Sequence, residues 1–321
     1  MKVIGFLSNH FTLRGTEVAM YDYAQFNETL LGNKSIIITR DFNNFKNRPD
    51  VSVETYIKFK KRFPLEYYVT REDIDTIVEK YSITHLYIIK SGEFDGLYST
   101  KCKNLIHCVF SSNQHHGDVY SVISSDVNRL CNTSYPVVPH MIHNDIDITD
   151  NIRQKLNIPD NAIVFGRYGG LSTFDIPFVH SVIKKIVDVR KDIYFVFMNT
   201  NAFYKHDRII FIGGTSNMSF KKQFINTCDA MIHARFAGET FGLACGEFAI
   251  EMKPVITWNG SRERSHINIL GDRAILYNNY DDLMNIFLTF KKTKYDMTNN
   301  GYLEYSPEKV MDIFKSVYLH I

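Results

Sequence analysis

Two glutamates lie eight positions apart in the stretch HARFAGETFGLACGEFAI, which runs from His233 to Ile250. Glu239 follows a short apolar segment, and Glu247 lies about two turns into a predicted helix. Two glycines, Gly242 and Gly246, share a face of that helix, where each costs roughly 1 kcal/mol relative to alanine. Acids on both sides of a helix start suit a ligand with hydroxyl groups at its ends and phosphates between them, such as a sugar nucleotide.

The start of this helix is a predicted anion site. Thr240 is predicted to cap a helix that begins at Phe241. The free N–H groups of such a helix start, together with the positive end of its dipole, favour phosphate groups. The alternative is a plain strand–helix turn that binds nothing, with an acid that only compensates the dipole. The segment taken alone leaves both interpretations open.

The same segment resembles the retaining GT-B glycosyltransferases of the family 4 type, the glycosyltransferases group 1. Glu239 and Glu247 form their Glu-x7-Glu pattern, and the surrounding E-T-F-G-L, GEF-A and KPVI are similar to the family's segment. The resemblance implies that Glu239 contacts the donor sugar and that Glu247 contacts the ribose. It assigns backbone donors to the diphosphate at Thr240, Phe241, Gly242 and Leu243.

A second phosphate contact is implied near the amino terminus. NHFTLRGTEVAMYDYA follows the first predicted strand and resembles the family's Gly-Gly-x-Glu loop. Gly15 occupies the second glycine position, and Arg14 replaces the first. An arginine there adds a cation near phosphate or narrows the cleft. The alternative is again a plain strand–helix turn.

Arg167 is the predicted cation for the leaving diphosphate. In VFGRYGGLSTFDIPF it lies at the carboxyl end of a strand, where ligands of parallel sheets bind. Its guanidinium is always charged and binds phosphate in a bidentate manner. The family usually has a lysine shortly afterwards, but this chain has Ser172 and Thr173 there and no lysine before Lys184. One cation of the family pattern is therefore predicted to be missing.

The resemblance implies two further contacts. His107 ends the strand NLIHCVF and takes the place of a histidine that touches the donor sugar near the reaction centre. A structural histidine in an apolar strand is the alternative. Gly214 and Thr215, in IGGTSN, are similar to the loop that carries the base.

Composition excludes several classes of partner. The net charge of +2 over 321 residues is too small to predict nucleic acid as a partner. No apolar run approaches the roughly 18 residues that cross a bilayer. The five cysteines form no CxxC pair, which predicts free thiols in a cytoplasmic protein. KFKKRFPLEYY, from Lys58 to Tyr68, favours a solvated surface, with peripheral contact to an anionic membrane or acidic acceptor as the alternative.

Two Asp-x-Asp strings, Asp73–Asp75 and Asp145–Asp147, are predicted to be solvated acids rather than metal ligands. We therefore expect no metal and no cofactor, because cationic side chains and dipoles stabilise the leaving group. The co-substrate is expected to be a UDP- or GDP-sugar.

Apolar runs alternate with helical patterns along the chain, which predicts an α/β fold with parallel sheets. There are two such series, with a break near residues 135–150. With the resemblance, this implies the GT-B fold, in which two Rossmann-like, doubly wound domains face a central cleft. The predicted domains are 1–143, on the acceptor side, and 144–305, which binds the donor; the final helix, 306–321, packs on the first or the second.

The function implied is sugar transfer with retention at the anomeric carbon, by a hexosyl-type enzyme. The acceptor implied is a glycan or a lipid- or protein-linked sugar. The rivals are a GT-B nucleotide-sugar epimerase or hydrolase and a non-catalytic nucleotide- or glycan-binding protein. The sugar, the base, the acceptor and the oligomeric state are not determined by the sequence.

Overall fold

The structure is a computed structural model that describes residues 1–9, 11–41, 51–144, 146–292 and 295–320. The chain divides into two compact units. The first unit comprises Met1–Met141 and Tyr305–Ile321, and the second comprises Ile142–Glu304. The carboxyl-terminal helix thus belongs to the unit that contains the amino terminus.

The first unit is built on one parallel sheet. Its strands are β1 (Val3–Ser8), β2 (Lys34–Arg40), β3 (Leu65–Tyr68), β4 (His85–Lys90), β5 (Lys103–Cys108) and β6 (Val119–Val122). They lie in the order β3-β2-β1-β4-β5-β6, and all their pairings are parallel. This is the strand order of a Rossmann fold, in which the direction of winding reverses between β1 and β4.

Helices cover the sheet of the first unit. They are α1 (Gly15–Thr29), α2 (Val53–Arg62), α3 (Arg71–Tyr81), α4 (Ser125–Cys131) and α10 (Pro307–Phe314), the last of which continues as a π-helical turn at Lys315–Leu319. The Phe314 ring, near the end of the chain, lies 5.3 Å from that of Tyr23 and 5.2 Å from that of Tyr87, between ring centroids. The Tyr318 ring lies 5.6 Å from that of Tyr87, and all four side chains belong to one buried cluster. The last helix therefore completes the core of the first unit.

The second unit repeats the same topology. Its strands are β7 (Ile163–Tyr168), β8 (Ile193–Met198), β9 (Ile209–Ile212), β10 (Ala230–His233), β12 (Val255–Trp258) and β14 (Ala274–Tyr277), in the order β14-β12-β10-β7-β8-β9. Its helices are α5 (Pro177–Val189), α6 (Met218–Thr227), α7 (Leu243–Ile250), α8 (Ser265–Leu270) and α9 (Tyr280–Thr289). The winding reverses between β7 and β10, which makes the carboxyl ends of these two strands the expected ligand position.

The strands predicted from the sequence, such as Val3–Leu7 and Ile193–Met198, begin and end within two residues of the observed strands. Three short strands were not predicted. β3 lies in the segment that we predicted as a solvated surface, and it forms the edge of the first sheet. β11 (Gly238–Glu239) and β13 (Glu263–Arg264) form a separate two-stranded parallel sheet. β11 and β13 have two residues each, too few for a pattern to be recognised, and β3 directly follows a run of charged residues that does not resemble a strand.

Candidate active site

The candidate site lies at the winding reversal of the second sheet. Arg167 is the penultimate residue of β7, and the loop 234–238 follows the carboxyl end of β10. Because β7 and β10 are neighbours in the sheet, the two segments emerge side by side. The sequence alone placed Arg167 at a strand end, and the topology now pairs it with the loop that leads to Glu239.

Arg167 is a buried cation whose hydrogen-bond partners among the described residues are all neutral. Its guanidinium donates to the hydroxyls of Thr200 (2.5 Å) and Thr173 (2.6 Å) and to the carbonyl oxygens of Gly170 (3.0 Å) and Asn199 (3.4 Å). Burial lowers the pKa of Arg167 to about 10, while the nearby charge of Glu239 raises it. The group therefore stays protonated at neutral pH. Within the described residues no carboxylate forms an ion pair with it, so its charge is available to an anion.

Asp175 joins the Arg167 loop to the loop after β10. Its backbone N–H donates to the carbonyl oxygen of Ala234 at 3.0 Å, and its carboxylate accepts from the backbone N–H of Phe236 at 2.7 Å. The residue between these two anchors is Arg235. The backbone of Arg235 is therefore fixed relative to the loop that holds Arg167.

Glu239 lies on β11 and is bound by two basic side chains. Nε2 of His233 is 3.2 Å from one carboxylate oxygen, and Arg235 donates to the other at 3.0 Å. Burial raises the pKa of Glu239, but the hydrogen bond from His233 and the charge of Arg235 outweigh it and bring the pKa to about 2. Glu239 is therefore an ionised acceptor at neutral pH, as contact with sugar hydroxyls requires.

A hydrogen-bonded chain behind Glu239 orients it. The carboxylate only accepts, so the proton in its bond to His233 is on Nε2. Nδ1 of that ring is 2.9 Å from the hydroxyl of Thr257, which is in turn 2.9 Å from Nε2 of His266. Burial lowers the pKa of His266 well below its ordinary value. Sequence analysis missed this chain, because three residues on different elements form it.

The helix after Glu239 begins two residues later than we predicted. α7 starts at Leu243, its cap is Gly242, and no side chain caps it. Thr240 is therefore not the cap. Gly242 has φ 86°, a left-handed conformation that favours glycine and prevents a helix from starting at Phe241. The helix start still lies in the predicted segment, next to Glu239.

The two glycines of α7 allow close packing within the protein. A Cβ on Gly246 would lie 2.7 Å from Cδ1 of Tyr302 and 2.8 Å from Cδ1 of Ile142. A Cβ on Gly242 would lie 2.9 Å from the hydroxyl of Tyr302. That hydroxyl donates to the carbonyl oxygen of Phe241 at 2.6 Å. The space beside the two glycines is thus occupied by side chains of the second unit.

Glu247 forms a buried ion pair that sequence analysis missed. Nζ of Lys221, on α6, is 2.6 Å from Oε1 of Glu247, and the hydroxyl of Tyr168, at the end of β7, donates to Oε2. A signal for Lys221 was present in the sequence. It shares an i, i+3, i+4, i+7 pattern with the buried residues Phe224, Ile225 and Cys228, so a lysine occupies a core-facing position of a helix.

The segment predicted to carry the base connects β9 to α6. Gly214 and Thr215 lie in this connection, at the carboxyl end of β9. The hydroxyl of Thr215 accepts from the backbone N–H of Asn217 at 3.0 Å, and the Asn217 side chain caps α6. The loop thus leads directly into the helix that carries Lys221.

In the first unit, Arg14 and Gly15 lie at the equivalent winding reversal, after β1. Both are exposed, and α1 begins at Gly15 with Arg14 as its cap residue. Glu17, in the first turn, is buried and accepts from the hydroxyls of Thr12 (2.6 Å) and Thr16 (2.9 Å). Burial raises the pKa of Glu17. The predicted loop is therefore an ordered helix start that exposes backbone donors.

His107, the predicted sugar contact, is fully buried within the first unit, and its contact with sugar stays a prediction. Its side chain has 0% exposure, and its ring neighbours Tyr23, Tyr87 and His140 all belong to the core of the first unit. Nδ1 lies 2.6 Å from the Tyr87 hydroxyl. Burial lowers the pKa of His107 to about 3, so the ring is neutral. A residue enclosed in this way packs the core, which is the alternative that the sequence left open.

The Asp-x-Asp acids have structural partners. The Asp73 side chain completes a capping box with Thr70, and Asp75 binds Arg71, Ser99 and Thr100. Asp145 lies outside the described residues, and Asp147 is exposed. Among the described residues there is no cluster of three or more His, Cys, Asp or Glu side chains that could hold a metal ion.

The Lys58–Tyr68 segment forms the second half of α2 and β3. Nζ of Lys58 lies 4.1 Å from the centre of the Tyr21 ring, and Arg62 pairs with Glu28 at 2.7 Å. Lys60 and Lys61 are exposed. None of the helices in the described part of the chain is both long enough and apolar enough to span a membrane.

No protein-family model matches the sequence, and no curated protein is similar to it in sequence. Solved structures are similar in fold. Anabaena HepE, solved with UDP-glucose, superposes with a TM-score of 0.70 at 14% identity, over 99% of this chain and 98% of that chain. A Rickettsia africae glycosyltransferase gives 0.69 at 14% identity, over 100% and 99%. A putative UDP-N-acetylglucosamine 2-epimerase from Listeria monocytogenes gives 0.62 at 11%, over 98% and 96%.

These similarities and the two repeated sheets show the fold. The chain has the GT-B fold, with two Rossmann-like doubly wound units, as the sequence predicted. At sequence identities of 11–14%, structural similarity shows the fold and not the activity, which depends on the residues of the site.

Proposed function

We propose that this chain is a glycosyltransferase that moves a sugar from a nucleoside-diphosphate-sugar donor to an acceptor hydroxyl, with retention at the anomeric carbon. The observation that carries this proposal is that Arg167 and Glu239 lie near each other at the winding reversal of the second sheet, where the charge of Glu239 acts on Arg167. A buried cation with neutral partners suits a diphosphate, and an ionised acid beside it suits sugar hydroxyls. The fold similarity to HepE, solved with UDP-glucose, is consistent with such a donor.

The proposed reaction breaks the bond between the anomeric carbon and the diphosphate oxygen. The acceptor hydroxyl attacks from the face of the leaving group, and the departing phosphate oxygen takes the hydroxyl proton. The products are the glycoside and the nucleoside diphosphate. The transition state has oxocarbenium character, and negative charge builds on the leaving oxygen. Arg167 and the start of α7 stabilise that charge, which is the role that a metal ion plays in other transferases.

The other residues take positioning roles in this proposal. Glu239 accepts hydrogen bonds from the sugar, and the backbone from Thr240 to Leu243 donates to the diphosphate. Glu247, oriented by Lys221, accepts from the ribose. The loop with Gly214 and Thr215 contacts the base through its backbone.

Arg14 and Gly15 are the proposed phosphate contacts of the first unit, on the strength of the exposed helix start after β1. The proposed acceptor is a glycan or a lipid- or protein-linked sugar. Peripheral contact with an anionic membrane through α2 is part of this proposal. Exposed Val53 (52%) and Ile57 (43%) lie on the same helix as Lys60 and Lys61, a combination typical of interfacial helices.

The test uses ligand-observed NMR to measure the binding and the turnover of a panel of UDP-, GDP- and ADP-sugars. We expect one donor to bind selectively, and we expect Glu247→Ala to lose that binding. Slow release of sugar in the donor's own anomeric configuration would support retention. Arg167→Lys keeps the charge but not the forked geometry, and we expect turnover to fall by roughly 10²-fold with donor binding retained.

The outcomes separate the proposal from its rivals. Release of free sugar at a rate that exceeds transfer to every acceptor would favour a hydrolase. Formation of an epimerised donor would favour an epimerase, a class that also occurs among the similar folds. Donor binding without turnover on any acceptor would favour a binding protein. Failure to bind any nucleotide or nucleotide sugar would exclude the transferase, the hydrolase or epimerase, and a nucleotide-binding protein.

A further inference from the structure

We propose that Arg235 is a second cationic contact for an anionic group of the donor, either the diphosphate or a carboxylate carried by the transferred sugar. Arg235 lies in the loop after β10, beside Arg167 and in an ion pair with Glu239. The inference rests on the proposed donor site. Arg235 has no role among the donor contacts described above, so the inference adds a residue to the proposed site.

The backbone of Arg235 has a fixed position next to the Arg167 loop. The residues on either side of Arg235, Ala234 and Phe236, are both hydrogen-bonded to Asp175 on the Arg167 loop. The carbonyl oxygen of Arg235 itself accepts from the backbone N–H of Gly238 at 3.0 Å. A long side chain on such a fixed backbone reaches a defined volume at the carboxyl end of β10. Strand order places that volume next to the end of β7.

The second argument is the balance of charge. The charges that act on Arg167 come chiefly from Glu239, Arg235 and Asp175. Glu239 is shared between Arg235 and His233, and Asp175 is engaged by the backbone of Phe236. The rest of the Arg167 loop, residues 169–174, carries no charged side chain. Two guanidinium groups and the start of α7 therefore lie near two carboxylates, both of which already accept hydrogen bonds within the protein.

The third argument is the chemistry of the pair. The positive charge of Arg235 lowers the pKa of Arg167, so the two guanidinium groups repel each other. The charge of Glu239 already outweighs this repulsion, and an oxyanion between the two groups would accept charge-assisted hydrogen bonds from both. Arg235 is also more accessible than Arg167, because 22% of its side chain is exposed. It can therefore reach a ligand while Glu239 keeps its bond to His233.

The test is calorimetric titration of the whole chain with uridine, UDP, UDP-glucose and UDP-glucuronate, and with the guanosine series if the donor panel selects GDP. The variants are Arg235→Gln and Arg235→Lys. Lys191→Gln is the matched control, because it removes one exposed positive charge at the amino end of β8, the opposite edge of the sheet. Thermal unfolding of each variant verifies that it is folded.

We expect Arg235→Gln to weaken UDP binding by about tenfold, with Arg235→Lys between it and the wild type and Lys191→Gln unchanged. Uridine binding should change less than twofold. Loss for UDP identifies the diphosphate as the anion, whereas loss confined to UDP-glucuronate identifies the sugar carboxylate. Glu239→Gln should bind UDP at least as tightly as the wild type, since it removes a nearby negative charge.

Equal affinity of the wild type and Arg235→Gln, within twofold, for UDP, UDP-glucose and UDP-glucuronate would overturn the inference. Arg235 would then only position Glu239, and Arg235→Gln would lower turnover without changing nucleotide affinity. If the wild type binds none of the nucleotides, the donor site itself is wrong. Failure of the proposed donor site is thus distinguished from failure of the inference, in which the wild type and Arg235→Gln both bind with equal affinity.

Discussion

Nζ of Lys221 lies 2.6 Å from Oε1 of Glu247, and each side chain is only 10% exposed. The hydroxyl of Tyr168 donates to the other carboxylate oxygen. The acid that the sequence identified is therefore held by side chains from α6 and β7. Each carboxylate oxygen has a further lone pair that can accept a ribose hydroxyl. The ion pair fixes the direction in which it does so.

Removal of Lys221 tests this relationship. Lys221→Met leaves the Glu247 carboxylate buried with Tyr168 as its one remaining side-chain partner, and breaking a buried pair costs about 3 kcal/mol. We expect urea denaturation to show a loss of that order. The double variant Lys221→Met with Glu247→Gln should lose less than the two single variants combined. Strict additivity of the two losses would show that the pair is not coupled.

The environment of Glu239 predicts a pH dependence of stability. Its pKa falls from 4.5 to about 2 on folding, so ionised Glu239 stabilises the fold above pH 4.5. That contribution, up to about 3 kcal/mol, is lost as the pH falls from 4.5 through 2. We expect the wild type to be more stable than Glu239→Gln at pH 7 and the difference to shrink over that window. Denaturant midpoints from pH 7 to pH 3 measure it, and a constant difference would refute the assignment.

The hydroxyl of Thr257 links two buried imidazoles, those of His233 and His266. Thr257→Val keeps the shape of the side chain but leaves both ring nitrogens without this partner, at a cost of roughly 1–3 kcal/mol. Thr257→Ser keeps the hydroxyl and serves as the matched control. We expect chemical denaturation to rank them wild type, then Ser, then Val. If Thr257→Val were as stable as Thr257→Ser, the hydrogen-bonded chain behind Glu239 would make no contribution to stability.

The packing of α7 predicts a position-specific effect of alanine. Gly246→Ala places a Cβ within 2.7–2.8 Å of Tyr302 and Ile142, and we expect a loss of about 1–3 kcal/mol from overpacking. Gly213→Ala is the control, because nothing lies within 4 Å of its added Cβ. Thermal unfolding of both variants measures the difference. Ile142→Ala should restore part of the loss by making room, and its failure to do so would point to another cause.

Much of the fold follows from local sequence. Strands such as β7, β8 and β10 are short apolar runs between helical patterns, and this alternation alone indicates parallel sheets covered on both faces. The strand-end position of Arg167 and the spacing of Glu239 and Glu247 were also readable, because each depends on one segment. Errors arose where a boundary depends on backbone conformation, as at Gly242, whose φ of 86° delays the start of α7.

By itself, the sequence determined the two series of strands, the GT-B fold and the acids and arginine of the candidate site. Only the tertiary structure decided which residues act together. It buried His107 in the core of the first unit, paired Lys221 with Glu247, and brought Arg235 beside Arg167 through Asp175. The physical reason is that these relationships join elements distant in the chain. Periodicity and spacing report the conformation of one segment, whereas burial and charge pairing depend on how the segments pack.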